Sequence, residues 1–321
     1  MTPEIITYLT FGGLLIVALI FDLGLLSKKH SHITIRKALW QTIFWVSLAL
    51  AFFVFVWIEF DRTIALEYLS AYLTEWSLSI DNIFVFILIF SFFAVKEHQY
   101  ARVLLIGIMM AIIFRVIFIT IGIVLVERFE WLLYIFGAIL VYTGIKMFSS
   151  TEEEVVTLEE NRVYRIIRKI LPLTPIDNHG KFTHRINGKR YFTSIFVVVL
   201  MLASTDIVFA LDSIPAVFGI SKSRLVIYTS NIFAVLGLRS LFFLLKGAKE
   251  KFAHLQQGIA IVLVFIGLKM LAEIFHLKIP VFISLLVILV CIAASIVYSL
   301  AVANKEEKTA VADDTREIDL H

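Results

Sequence analysis

The sequence predicts an all-α, polytopic transmembrane helix bundle of about nine spans, with two inverted three-helix repeats. Three observations predict it. Of the 321 residues, 60% are hydrophobic and 17% charged, where soluble domains average roughly 45–50% and about 25%; there is too little polar sequence to coat a soluble core. Nine apolar runs approach the roughly 20 residues that a spanning helix needs. A set of two carboxylates, an arginine and a Gly-x-Lys-Met segment occurs twice in the same order. A secreted disulfide scaffold is excluded, because Cys291 is the only cysteine; alone in the ninth run, it reads as a small hydrophobe.

The candidate spans are residues 4–26, 38–58, 69–95, 101–126, 130–148, 193–217, 225–246, 257–277 and 280–303. The first is read as an anchor and not a signal peptide, since no basic residue precedes it and the apolar run is too long. Orientation follows the excess of Lys and Arg in short cytoplasmic loops. Lys28, Lys29, Arg36 and Lys37 place the first loop inside; the acidic Glu59, Asp61 and Glu67 place the next outside. Continued alternation puts the N-terminus out and the C-terminus in, with only Lys222 and Arg224 opposed.

This divides the chain into helices 1 and 2 (1–60), a first repeat of helices 3–5 (61–148), a cytoplasmic loop (149–192), a second repeat of helices 6–8 (193–278), helix 9 (279–303) and a disordered tail (304–321). Within the loop, Val163, Ile166, Ile167, Ile170 and Leu171 form an amphipathic pattern that Pro172 ends. Asn187-Gly188 between two alternating runs predicts a β-hairpin, because a type I′ turn needs positive φ at both positions.

The two repeats share Glu75-(x)5-Asp81-Asn82-Ile83 and Asp206-(x)5-Asp212-Ser213-Ile214, then Arg115 and Arg239, then Gly144-Ile-Lys146-Met147 and Gly267-Leu-Lys269-Met270. The offset between copies is 131 at the acids, 124 at the arginines and 123 at the last marker, so a loop seven residues shorter in the second copy accounts for the drift. Three spans per unit invert the second relative to the first. Such repeats are a transporter architecture with the substrate site near the midplane.

Carboxylates deep in a span cost roughly 2.5–3.5 kcal/mol each on insertion scales and mark function. Glu75, Asp81, Asp206 and Asp212 carry −4, and Arg115 and Arg239 return +2. The remaining −2 suits one divalent cation or two protons; the alternative is a neutral, partly protonated network that holds the bundle together. No histidine falls in the interior of a span, since all eight sit in loops, at span ends or in the tail, so the ligands on offer are oxygens: the four acids, Asn82, Ser213, Thr205, Asn231 and exposed backbone carbonyls. Oxygen-only sites suit Mg²⁺, Ca²⁺ or Mn²⁺, and oxygen chemistry does not choose among them. Positions six apart differ by about 240° on a helix, so Glu75 and Asp81 do not share a face; both acids of a motif meet one ion only where the helix is unwound, and otherwise they occupy successive ion positions. The first motif has no proline, so a continuous helix or a polar local distortion at Asp81-Asn82 is expected there. Pro215, just past Asp212, removes a backbone donor and is expected to break the helix there and free carbonyls for an ion. Arg115, Arg239, Asn231 and Pro215 are assigned to charge balance and gating. Lys146 is expected to snorkel to the surface, and Lys269 and Glu273 to form a helix ion pair.

At Glu75-Trp-Ser-Leu-Ser-Ile-Asp81-Asn82, Ser204-Thr-Asp206-Ile-Val-Phe-Ala-Leu-Asp212-Ser213-Ile-Pro215, Thr229-Ser-Asn231 through Arg239 and the two GxKM segments, the chain resembles the TerC family of bacterial membrane proteins, in its longer Alx-type members. The resemblance runs from about residue 5 to 300. It implies a bacterial inner-membrane protein related to LysE-type transporters, Mn²⁺ export or metalation of secreted enzymes, and links to tellurite resistance and alkaline pH; its acidic residues map onto Glu75, Asp81, Asp206 and Asp212.

The leading expectation is therefore an Mn²⁺ exporter, with the metal as substrate, the lipid bilayer as surroundings and no permanently bound cofactor. The alternative is a membrane scaffold serving secretion-machinery or secreted metalloenzyme partners, with the 149–192 loop as docking surface. No nucleic-acid partner is expected, and homodimerisation stays open. An enzyme is not expected, given no dithiol, no paired intramembrane histidines and no nucleotide motif.

Overall fold

The computed structural model describes residues 9–17, 34–149, 172–174, 182–186, 189–246, 255–275, 277 and 279–318. Nine helices are present among them: α1 (residues 9–17), α2 (Ile35–Glu59), α3 (Arg62–Phe92), α4 (Glu97–Arg128), α5 (Leu132–Ser149), α6 (Ser194–Ile220), α7 (Arg224–Leu245), α8 (Leu255–Ala272) and α9 (Val281–Ile318). Seven helices, α2–α4 and α6–α9, are long and apolar enough to cross a membrane, and α5 contributes a shorter apolar stretch, Leu132–Phe148. Most of the expected first span, and the amphipathic stretch through Leu171, lie outside the described residues.

Helices form because a bilayer offers backbone groups no other partner. Local sequence sets their starts: the Thr34 side chain accepts from the Lys37 amide at 3.4 Å and Asp61 from the Thr63 amide at 3.3 Å, which satisfies amide donors that have no partner in the first turn. Inside the spans, Thr42, Ser70, Ser77 and Thr229 donate their hydroxyls to the carbonyl four residues back, so these four add no unmet donor to an apolar interior.

The two three-helix units interlock. The helix α3 packs chiefly on α7, and α4 packs on α6, which is the same contact with the units exchanged. The closest pair is α5 with α8, antiparallel and in backbone contact. A Cβ on Gly267 would stand 2.6 Å from the Gly137 carbonyl oxygen, and one on Gly144 would stand 2.7 Å from that of Ala260. Under the 123-residue offset Gly137 maps to Ala260 and Gly144 to Gly267, so the two contacts exchange with each other. Small residues at the crossing let the backbones meet, as membrane helices require. The helix α7 is almost wholly buried at the centre, while Ile113, Ile117 and Ile121 of α4 and Phe282, Leu286 and Leu289 of α9 are exposed where lipid would cover them.

At the end of the bundle where α4 and α6 begin, a small sheet has order β1-β3-β2: β2 (Thr183–Ile186) pairs antiparallel with β3 (Lys189–Thr193), and β1 (Leu173–Thr174) pairs parallel with β3. The register closes at Ile186↔Lys189; the turn expected at Asn187-Gly188 itself lies outside the described residues. Arg102 of α4 lies over the Phe182 ring at 5.3 Å and ties the sheet to the bundle.

Two expectations are corrected. The helix α6 runs unbroken through Pro215, because proline deletes one ladder bond and tight packing holds the rest; Pro215 and its neighbours Ile214 and Ala216 are buried. The tail expected to be disordered from residue 304 instead continues α9 to Ile318; it contains no Gly or Pro and is rich in Ala, Lys and Glu, the stronger helix formers.

Candidate functional site

Arg115 sits midway along α4, 1% exposed. Its guanidinium reaches four side chains on three other helices. Nε and Nη2 donate to Asp206 Oδ2 and Oδ1 of α6 at 3.0 and 3.1 Å, a bidentate fork. Nη1 donates to Glu75 Oε1 of α3, to Asn231 Oδ1 of α7 at 3.0 Å and to Ser213 Oγ of α6 at 3.4 Å. Asn231 is oriented by its own amide, which donates to the Ile227 carbonyl at 3.0 Å. Glu75 and Asn231 are fully buried, and Asp206 and Ser213 nearly so.

Helical spacing explains the set. Asp206 and Ser213 are seven apart and share one face of α6, as do Glu75 and the buried Asn82 on α3. Two carboxylates against one guanidinium leave a formal charge of −1. Three of the four carboxylate oxygens hold Arg115, and the fourth, Glu75 Oε2, has no hydrogen-bond partner. An unmet buried carboxylate oxygen is costly, and a proton or a cation would satisfy it.

The other expected residues lie elsewhere. Asp212 is half-buried and accepts from Thr143 Oγ1 of α5 at 3.1 Å. Because α6 stays helical, Asp212 is turned about 240° from Asp206, and the break that would let one ion meet both acids is absent. The side chain of Asp81 lies outside the described residues. Among the described residues no three His, Cys, Asp or Glu side chains converge; the acids come together around an arginine, as a pair. Arg239 is buried on α7. Thr205 bonds back to the Leu202 carbonyl at 2.9 Å. Lys146 is exposed, whereas Lys269 is buried.

Sequence reasoning missed Thr143, a lone hydroxyl in an apolar run with no pattern to mark it. It also read Glu67 as an outer-loop acid; Glu67 accepts from Ser221 Oγ where α6 ends.

The sequence model described as the integral membrane protein TerC family matches residues 60–307. The chain is 42% identical over 304 residues to an uncharacterized membrane protein of Myxococcus xanthus, covering 94% of each chain. It is 38% identical over 314 residues to a Salmonella typhi protein named putative membrane-bound redox modulator Alx, covering 94% of this chain and 97% of that one. It is 37% identical over 294 residues to an uncharacterized membrane protein of Rickettsia felis, covering 92% and 97%. No solved structure matches the chain.

Proposed function

The chain belongs to the TerC family of integral membrane proteins, and from that premise we propose that it carries a hard divalent cation, Mn²⁺ foremost, out of the cytoplasm by alternating access. The observation that carries this reading is the Arg115 cluster, with its unpartnered Glu75 Oε2. Glu75, Asp206, Asn231 and Ser213 present an all-oxygen set around a single cationic group. If Arg115 withdraws, the two carboxylates carry −2, which one divalent cation neutralises, and the oxygens match the preference of Mn²⁺, Mg²⁺ and Ca²⁺ for carboxylate and carbonyl ligands. Arg115 therefore stands in for the cargo when the site is empty. Its displacement couples cation entry to rearrangement of the two interlocked units. Outward direction rests on the family resemblance alone.

The test is purified protein in liposomes loaded with a manganese-sensitive dye. Mn²⁺ flux that falls at least about tenfold in Asp206→Asn and in Glu75→Gln, consistent with loss of a metal ligand, supports the reading; absent flux, or flux indifferent to both changes, overturns it.

The small sheet favours a second reading, a membrane protein that assists a partner: it sits beyond the helix ends, anchored by Arg102 on Phe182. Removing the hairpin would then abolish function while leaving Mn²⁺ flux intact. A redox role, as the relatives' printed name suggests for them, would need a partner's thiol, since one cysteine forms no intrachain disulfide.

A further inference from the structure

Lys269 of α8 is a charged group that the Arg115 cluster does not use. It is 6% exposed, while its counterpart in the first unit, Lys146, faces outward. It makes no hydrogen bond or close ion pair among the described residues. The charges acting on it are those of Glu273, just past α8, and Glu67 of α3.

Glu67 is half-buried. One of its oxygens, Oε2, accepts from Ser221 Oγ, the residue that ends α6, and Ser221 Oγ in turn accepts from the Ser223 amide at 3.0 Å. The other oxygen has no hydrogen bond among the described residues. Gly219 brings α8 against this end of α6: a Cβ there would stand 2.7 Å from both Ile266 Cγ2 and Met270 Sδ. One unit thus supplies the carboxylate and the other supplies the ammonium, where three helices meet.

The helix α3 links this place to the centre. Glu67 and Glu75 are eight residues apart on one continuous helix, about 12 Å at 1.5 Å per residue. Thr74, seven residues from Glu67 and so on its face, is buried with an unpartnered Oγ1.

We propose that Glu67 is a second position for the transported divalent cation, nearer the end of the bundle away from the sheet, and that Lys269 is a tethered cation which holds that position while it is empty. The proposal rests on the transport reading. An ammonium and a divalent ion compete for one carboxylate, so a cation leaving Glu75 and Asp206 reaches Glu67 only as Lys269 withdraws. This is the part Arg115 plays at the centre, repeated about two helical turns away.

The experiment counts Mn²⁺ bound to full-length protein in lipid nanodiscs, from the loss of the free-ion paramagnetic resonance signal. The unaltered chain binds one ion and Lys269→Met binds two; Lys269→Arg and Lys269→Met with Glu67→Gln each bind one. A Lys269→Met protein that binds no additional ion overturns the proposal. Glu75→Gln reports separately on the central reading: in the Lys269→Met background it removes the central ion and leaves the one at Glu67. As an independent arm, Glu67→Gln in the otherwise unaltered chain lowers Mn²⁺ flux in liposomes about tenfold and leaves the central ion bound. Flux equal to that of the unaltered chain overturns the proposal as well.

Discussion

Arg115 shows how one side chain can organise a span. Its guanidinium bridges α3, α6 and α7, and truncating it would leave two carboxylates facing each other in an apolar interior. Breaking a buried ionic contact from one side costs about 3–5 kcal/mol, so Arg115→Gln should melt well below the unaltered chain in thermal scans in nanodiscs. Mn²⁺ should recover part of the loss, because a ligand at 100 times its Kd adds about 2.7 kcal/mol; a variant whose melting ignores Mn²⁺ would count against a cation site at this cluster. Asp61 is a milder case at the surface. Hydrogen bonds from the Thr63 side chain and amide hold its carboxyl below the ordinary value. The folded state therefore favours the ionised form, and that contribution is present above the unfolded pKa and lost as the pH falls through the folded one. Asp61→Ala should melt lower than the unaltered chain at neutral pH, and the gap should close below about pH 4.

At the scale of elements, the packing of α5 on α8 depends on having almost no side chain at the crossing. Gly267→Ala would drive a methyl to 2.6 Å from the Gly137 carbonyl oxygen and 2.8 Å from Val141 Cγ2. Overpacking of that kind costs about 1–3 kcal/mol, readable as a lowered melting temperature, whereas Gly13→Ala meets nothing within 4 Å and should leave melting nearly unchanged. The helix α6 teaches a different point. A proline beside a charged residue is a reasonable signal for an unwound segment, yet Pro215 is carried within a continuous helix. Retained helicity rotates Asp212 away from Asp206 and onto Thr143, so one backbone outcome decides which acids can share an ion.

Across the whole molecule, polar contacts join α4 and α7 along their length: Glu97 with Lys246 at one end, Arg115 with Asn231 in the middle, Thr120 with Tyr228 at 2.7 Å beyond it, and Glu127 with Arg224 at the other end. The end contacts are exposed; Arg224 and Glu127 are 60% and 52% accessible, and exposed pairs contribute about 0–1 kcal/mol. Arg224→Gln should therefore shift stability by less than about 1 kcal/mol, less still in high salt, as denaturation in nanodiscs would record. A bundle tied firmly at its centre and weakly at its ends can open either end without dissolving its core, as the proposed alternating access requires.

Much of this was legible in order along the chain. The apolar runs announce membrane helices because a bilayer admits few other structures. The twice-written acids, arginine and GxKM segments are visible because charges in a greasy sequence stand out. The hairpin is announced by Asn187-Gly188, whose chemistry is local. What could not be read is which charges meet. Glu75, Arg115 and Asp206 are 40 and 91 residues apart along the chain, and their meeting depends on how interlocked helices rotate about their axes. That rotation is set by the fit of small residues such as Gly137, Gly219 and Gly267 against neighbouring backbones and side chains. Lys146 and Lys269 occupy equivalent places in the two copies, yet one is exposed and the other buried. Periodicity, charge and turn chemistry act within a few residues and are written in the chain; the pairing of distant charges follows from packing, which exists only once the helices have come together.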